Sequence, residues 1–180
     1  MNLIIGSPWW LVALLMLALG AAAVEDALRF RISNLTCGAV LGAALVAIAV
    51  HGFSPGLWQN AAVFAAILAL GTLAFAAGWM GGGDIKLLAS VGLWLDLRAV
   101  VGLIAAVFIA GGLVAIVYIV ARRVVRAARP STSRHGNVPY GVAVVAGAIL
   151  IFGMQLSHRP QATYVDRLRA MEAAAPVGNR

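Results

Sequence analysis

Two long apolar runs of this chain are separated by Gly81-Gly82-Gly83-Asp84-Ile85-Lys86-Leu87. Three consecutive glycines disfavour a helix, because each costs about 1 kcal/mol relative to alanine in a helix interior. They also let another backbone approach closely. Asp84 stands where the next apolar run begins, and a carboxylate at the centre of a spanning helix costs about 2.5–3.5 kcal/mol. Asp84 is therefore a candidate functional group, and the alternative is an ordinary Asp N-cap after a glycine turn.

The composition is typical of a polytopic membrane protein. Of the 180 residues, 63% are hydrophobic and only 11% are charged, and the mean hydropathy is +0.98. A water-soluble domain of this composition would expose too much apolar surface. The net charge of +7 does not indicate a nucleic-acid partner, because the arginines stand between apolar runs and in the C-terminal tail. Basic residues so placed orient a membrane protein. The single cysteine, Cys37, excludes a disulfide or a Cys-pair metal site within this chain.

The apolar runs predict an all-α fold with about six transmembrane helices. The predicted spans are residues 8–24, 35–50, 57–77, 84–95, 99–120 and 138–156. The fourth run is short, since it covers only about 18 Å of a hydrocarbon core that is about 30 Å thick. It is counted as a span because the topology then closes, and a short or re-entrant helix is the alternative. We expect residues 1–156 to form the transmembrane domain and residues 157–180 to form a polar tail.

The basic residues predict the orientation of these helices. With the N-terminus outside, the cytosolic loops contain residues 29–31, Lys86 and the arginine-rich segment 122–134. This arrangement obeys the positive-inside rule and leaves both termini outside. It also places Asp26 and Asp84 on the same, cytosolic, side.

Asp26 and Asp84 are the candidate acid–base pair among the six acidic residues. Two carboxylates brought together share a proton, so one can activate a water while the other protonates a carbonyl oxygen. The three histidines lie in predicted loops, and no Ser–His pattern indicates a nucleophile. Glu25 would point elsewhere on a helix. From the helix dipole we expect Asp84, at a helix N-terminus, to be the base and Asp26, at a helix C-terminus, to carry the proton.

Three short motifs resemble those of the type IV prepilin peptidases, an intramembrane aspartyl protease family. The first, similar to the GxGD signature, is Gly81-x-Gly83-Asp84-x-Lys86. The second is Asp26 followed by Ile32-Ser33-Asn34, where the family usually has Ile-Pro-Asn. The third, at the start of the last predicted span, is Pro139-Tyr140-Gly141. The resemblance runs from about residue 10 to residue 155, so it covers most of the chain.

The resemblance implies an aspartic endopeptidase that cleaves the leader of prepilins or pseudopilins at the cytosolic face of the bacterial inner membrane. It implies Asp26 and Asp84 as the catalytic pair, with no metal and no cofactor. The implied partners are a prepilin substrate helix, the lipid bilayer and the pilus assembly machinery. We expect Gly81 and Gly83 to admit an extended substrate backbone, and Lys86 to reach lipid phosphates.

The chain lacks the large cytosolic loop with paired cysteines of those family members that methylate the new N-terminus. A methyltransferase activity is therefore not expected, and the small size is similar to that of the peptidases of Flp/Tad-type pilus systems. Two other classes of protein remain as alternatives. One is a small transporter or channel that uses the two aspartates as ion or proton sites. The other is a non-catalytic assembly protein of a pilus or secretion machine.

Overall fold

The computed structural model describes residues 2–128 and 140–157, with no account of the side chains of Tyr118 and residues 122–128. This part of the chain contains seven helices and no strand. The helices are α1 (Leu3–Gly6), α2 (Trp9–Arg29), α3 (Asn34–His51), α4 (Leu57–Ala76), α5 (Gly82–Gly92), α6 (Leu97–Ala128) and α7 (Tyr140–Ser157). Five of them, α2, α3, α4, α6 and α7, are long and apolar enough to cross a membrane. The predicted all-α, multi-pass membrane fold is confirmed.

The first predicted span continues further than its apolar run. α2 passes residue 24 and ends at Arg29, because Phe30 adopts the left-handed conformation with φ of 51°. The predicted end of the first span at residue 24 is therefore too early, since the helix continues through residues 25–29. Asp26 lies on the buried face of α2, in helical register with Leu15, Leu19 and Ala22.

The fourth predicted span is a helix of only 11 residues, α5. This length corresponds to about 16 Å, roughly half the hydrocarbon core, so α5 alone is too short to cross it. The turn that follows continues the path to the far end of the bundle, where α4 begins. There the side-chain amide of Asn60 donates to the carbonyl oxygens of Leu93 and Leu95 at 2.9 and 3.1 Å. The fourth predicted span is therefore a short helix followed by a turn that reaches the far end of the bundle.

α1 lies beside this turn, and the sequence analysis did not predict it. The backbone N–H of Leu3 donates to the carbonyl of Trp94 at 3.0 Å. Leu3, Ile4 and Trp94 are all fully buried, and the indole N–H of Trp94 faces the carbonyl of Val40 at 3.4 Å. α1 is thus held to the turn after the short α5 by a backbone hydrogen bond, and it also contacts α3 and α7.

α6 and α7 form an antiparallel pair. Gly102 near the start of α6 lies against Ile151, whereas Gly111 further along lies against Ala143 near the start of α7. This pairing returns the start of α7 to the end of the bundle where α2 finishes. This end of the bundle therefore holds, among other described segments, the end of α2, the loop to α3, the start of α5 and the start of α7.

Two predicted segments fall partly outside the described residues. α6 continues to Ala128, so the first arginines of the predicted basic loop stand on helical backbone. The remainder of that loop, residues 129–139, lies outside the described residues, as do residues 158–180 of the predicted tail.

Candidate active site

Asp26 is almost completely buried near the end of α2, with 3% of its surface exposed. Its Oδ2 accepts a hydrogen bond from the backbone N–H of Val142 at 3.0 Å, and the N–H of Gly141 also donates to this carboxylate. Both donors belong to the first turn of α7, where backbone N–H groups have no acceptor within the helix. A Cβ at position 141 would lie 2.9 Å from Asp26 Oδ2, so only glycine permits this contact.

Asp84 is half-buried in the first turn of α5. Its carboxylate accepts a hydrogen bond from the backbone N–H of Gly81, which is the N-cap residue of this helix. Asp84 is thus the third residue of the helix, reaching back to the N-cap, and not the N-cap itself. Burial, and after it the negative charge of Asp26, raise the pKa of Asp84 to about 6, against the opposing effect of the Gly81 N–H.

Ile32 connects the surroundings of the two carboxylates. Gly83, which precedes Asp84, packs against the backbone of Ile32, and a Cβ there would lie 3.1 Å from the Ile32 carbonyl oxygen. The Cδ1 end of the Ile32 side chain faces Gly141, whose backbone N–H donates to Asp26. The backbone that approaches Gly83 closely is therefore that of Ile32 in this chain, whereas we expected a substrate backbone there.

A cavity of about 690 Å³ opens beside Asp84. Its lining consists of Glu25, of residues 29–34 from the end of α2 to the start of α3, and of residues 81–84 and Lys86 at the start of α5. The volume lies within the range of about 300–1,000 Å³ that is typical of ligand sites. We call this cavity the pocket. Asp84 lines the pocket, whereas the buried Asp26 is not among its lining residues.

Glu25 has a structural role that the sequence analysis missed. Its carboxylate accepts hydrogen bonds from the backbone N–H of Ser33 at 2.9 Å, the Ser33 hydroxyl at 3.1 Å and the Thr36 hydroxyl at 2.9 Å. Ser33 is also the N-cap of α3, since its Oγ accepts from the N–H of Thr36 at 3.2 Å. The proline usual in the family could not supply the Ser33 N–H. The hydrogen bonds between Glu25 and Ser33 therefore join the end of α2 to the start of α3 across the loop between them.

Lys86 joins the first two motifs. Its Nζ donates a hydrogen bond to Asn34 Oδ1 at 2.9 Å, which links α5 to the first residue of α3. We expected Lys86 to reach lipid phosphates, whereas in the structure its Nζ has Asn34 as a partner within the chain. The thiol of Cys37 also faces the carbonyl oxygen of Gly83 at 3.6 Å.

The third motif is described only in part. Pro139 lies outside the described residues, and Tyr140 is exposed at the first position of α7. Gly141 lies against Asp26, as set out above. The structure therefore brings together Asp26, Ile32, Asn34, Gly83, Asp84 and Gly141, with Gly81 and Lys86 on the rim of the pocket.

One premise of the sequence analysis is wrong: the helix dipole does not distinguish the two aspartates. Asp26 stands at the C-terminal end of its own helix, but its carboxylate receives N–H groups from the N-terminus of α7. Asp84 receives the Gly81 N–H at the N-terminus of α5. Both carboxylates therefore lie at the positive end of a helix.

Comparison with known families gives one match. The model of the type IV leader peptidase family matches residues 13–117, a range that includes both Asp26 and Asp84 and ends before α7. Searches of the curated proteins and of the solved structures gave no match. Because the family match covers more than half of a chain with several membrane-spanning helices, this multi-pass membrane protein belongs to the type IV leader peptidase family.

Proposed function

We propose that this peptidase hydrolyses the leader of Flp-type prepilins or pseudopilins, with Asp26 and Asp84 as its catalytic pair. The observation that carries the proposal is that Ile32 and the first turns of α5 and α7 assemble around both carboxylates. The charge of Asp26 also acts on the pKa of Asp84, which supports a coupled pair. Membership of the leader peptidase family supports cleavage of a leader peptide.

We assign Asp26 as the base and Asp84 as the proton carrier, which reverses the expectation from the sequence. The N–H groups of Gly141 and Val142 stabilise negative charge on Asp26 against the cost of its burial, whereas Asp84 receives one such group, the N–H of Gly81. Asp84, with its pKa raised to about 6, holds its proton to a higher pH than an ordinary aspartic acid. Because the two groups titrate together, the pair is active with a single shared proton.

The hydrolysis then runs in two proton-balanced steps. A water between the carboxylates loses a proton to Asp26 and attacks the peptide carbonyl carbon, while Asp84 donates its proton to the carbonyl oxygen. The resulting tetrahedral diol returns a proton to Asp84 and breaks the C–N bond as Asp26 protonates the leaving amine. The products are the leader, with a new carboxylate, and the mature chain, with a new amino terminus.

Access to both carboxylates depends on Ile32. Its side chain faces Gly141 beside Asp26, while Asp84 is open to the pocket. We therefore expect a peptide bond that reaches both groups to displace the Ile32 side chain. The α2–α3 loop that carries Ile32 forms one wall of the pocket, so substrate entering the pocket pushes against this loop.

The proposal is tested by cleavage of a purified Flp-type prepilin in detergent micelles. Asp26→Asn and Asp84→Asn should each lower the rate by about 100-fold or more, because each removes one half of the acid–base pair. The matched control is Asp96→Asn. Asp96 caps the start of α6 by accepting the N–H of Ala99, and asparagine caps helices equally well. Full cleavage by either variant of the pair would refute the aspartate mechanism.

The cytosolic position of the site and its location in a bacterial inner membrane belong to the same proposal. Inside-out membrane vesicles should cleave externally added prepilin, and right-side-out vesicles should not. Chains truncated after residue 157 should retain activity, since the proposed peptidase domain is residues 1–156.

A further inference from the structure

Two smaller cavities continue from the pocket along α5. One, of about 210 Å³, lies over Ile85 of α5 beside Thr72 and Phe75 of α4. The other, of about 290 Å³, lies over Ser90 of α5 beside Phe64 of α4 and reaches α3. Lys86 lines both of these cavities and also the pocket. We call the two smaller cavities together the trough.

The walls of the trough are apolar. Leu41 of α3 and Phe64 and Leu68 of α4 form its sides, and α5 forms its floor, against which α3 and α4 both pack. Gly38 of α3 also lines it, and a Cβ at this position would meet no atom within 4 Å. The position of Gly38 is therefore open, and a side chain there would project into free space.

The trough meets the pocket at a polar junction. Lys86 and Asn34 line both the pocket and the larger cavity, and they are joined by the hydrogen bond between Nζ and Oδ1. From Gly82 to Ser90, the trough follows α5 for about 12 Å. A peptide leaving the pocket past Lys86 would thus pass from polar surroundings into apolar ones.

We propose that the trough binds the apolar helix of the substrate that follows the cleaved bond. This inference rests on the proposed function. In the proposed function the apolar segment of the substrate follows the cleaved bond into the bilayer, and the trough is an apolar path that starts at the pocket. The competing occupant is a lipid acyl chain. A lipid phosphate would pair with Lys86 as well, so the observation that favours the peptide is the continuity of the trough with the pocket beside Asp84, and a crosslink to the substrate distinguishes the two occupants.

The first test fills the trough with Gly38→Leu. Because a Cβ at position 38 meets no atom within 4 Å, the helix should fold normally. The KM for the prepilin should rise by about tenfold, while kcat at saturating substrate stays within about twofold. The control is Gly153→Leu, an exposed position of α7 with equally open surroundings, which should leave both constants unchanged. An unchanged KM in Gly38→Leu, or a fall in kcat alone, would overturn the proposal.

The second test detects binding without cleavage. Gly38→Cys is combined with Cys37→Ser and Asp84→Asn, and the prepilin carries single cysteines in its apolar segment. Oxidation should join the chains at substrate positions spaced three or four residues apart in the first turns after the cleavage site. Gly153→Cys in the same background should give no such product. No crosslink from Gly38→Cys, as expected if lipid fills the trough, would overturn the proposal.

The two tests separate failure of this inference from failure of the proposed function. If cleavage depends on Asp26 and Asp84 but no crosslink forms, the substrate helix does not bind in the trough and the peptidase mechanism stands. If a crosslink forms but the wild-type protein cleaves no prepilin, the substrate helix binds in the trough and the proposed hydrolysis is wrong.

Discussion

The backbone N–H of Val142 donates to Asp26 Oδ2 at 3.0 Å, although 116 positions separate the two residues. This bond ties the start of α7 to the end of α2. It supplies a buried carboxylate with a donor and a helix N-terminus with an acceptor, and either group would cost free energy if left unpaired. It also explains why the third motif contains Gly141, since the carboxylate occupies the space that a Cβ would need.

Gly141→Ala should reduce cleavage by about 100-fold, because a misplacement of about 1 Å in a catalytic group has an effect of this size. The new methyl group would overlap Asp26 and Ile32. Overpacking should also lower the free energy of unfolding by about 1–3 kcal/mol. Prepilin cleavage and denaturant unfolding in detergent micelles measure the two effects.

The control for this change is Gly153→Ala, also in α7, where a Cβ meets no atom within 4 Å. It should leave cleavage unchanged and raise the free energy of unfolding by about 0.5–1 kcal/mol, because alanine is the better helix former. Wild-type cleavage by Gly141→Ala would show that the position of Asp26 is not important for catalysis.

The pKa of Asp84 should respond to Asp26. In the wild type a titration followed by carboxyl-carbon NMR should give a midpoint of about 6. Asp26→Asn removes the neighbouring negative charge, so the pKa of Asp84 should fall. It should stay above the ordinary value of 3.8, because burial is the larger cause of the shift. Asp96→Asn should leave the midpoint unchanged, and the same midpoint in Asp26→Asn would show that the two carboxylates are not coupled.

This titration also determines the pH dependence of cleavage. A raised pKa means that Asp84 keeps its proton up to about pH 6. In the proposed mechanism Asp84 donates that proton to the carbonyl oxygen, so the rate should fall as the pH rises through this value. A rate that instead increases over this range would assign the base role to Asp84.

Glu25 and Ser33 should act as one unit in stability. Glu25→Ala removes all three hydrogen bonds to that carboxylate and should lower the free energy of unfolding by about 1–3 kcal/mol. Ser33→Pro fits the backbone, since φ at this position is −74°, but it removes the N–H and the hydroxyl group. The double variant should lose less than the sum of the single effects, because both changes remove the two hydrogen bonds between Glu25 and Ser33. Additive losses, measured by unfolding in detergent micelles, would contradict this coupling.

The elements of this fold could largely be predicted from the sequence, because each depends on local composition. The N-cap of α3 at Ser33 and the membrane character of the long helices follow from side chains near in sequence. The burial of Asp26 could also have been predicted, since it continues the stripe of Leu15, Leu19 and Ala22. α1 could not, because four residues form a helix here only where Trp94 accepts the N–H of Leu3.

The sequence by itself determined the class of protein and the two aspartates that are candidates for chemistry, because apolar content and motif spacing are properties of the linear chain. Tertiary structure alone decided what surrounds those aspartates. The N–H groups of α7 at Asp26, Ile32 between the helix starts and the bond from Lys86 to Asn34 all join segments distant in the chain. Such contacts depend on how the helices pack against each other, and helix packing determines the hydrogen bonds and the burial that set the protonation of Asp84.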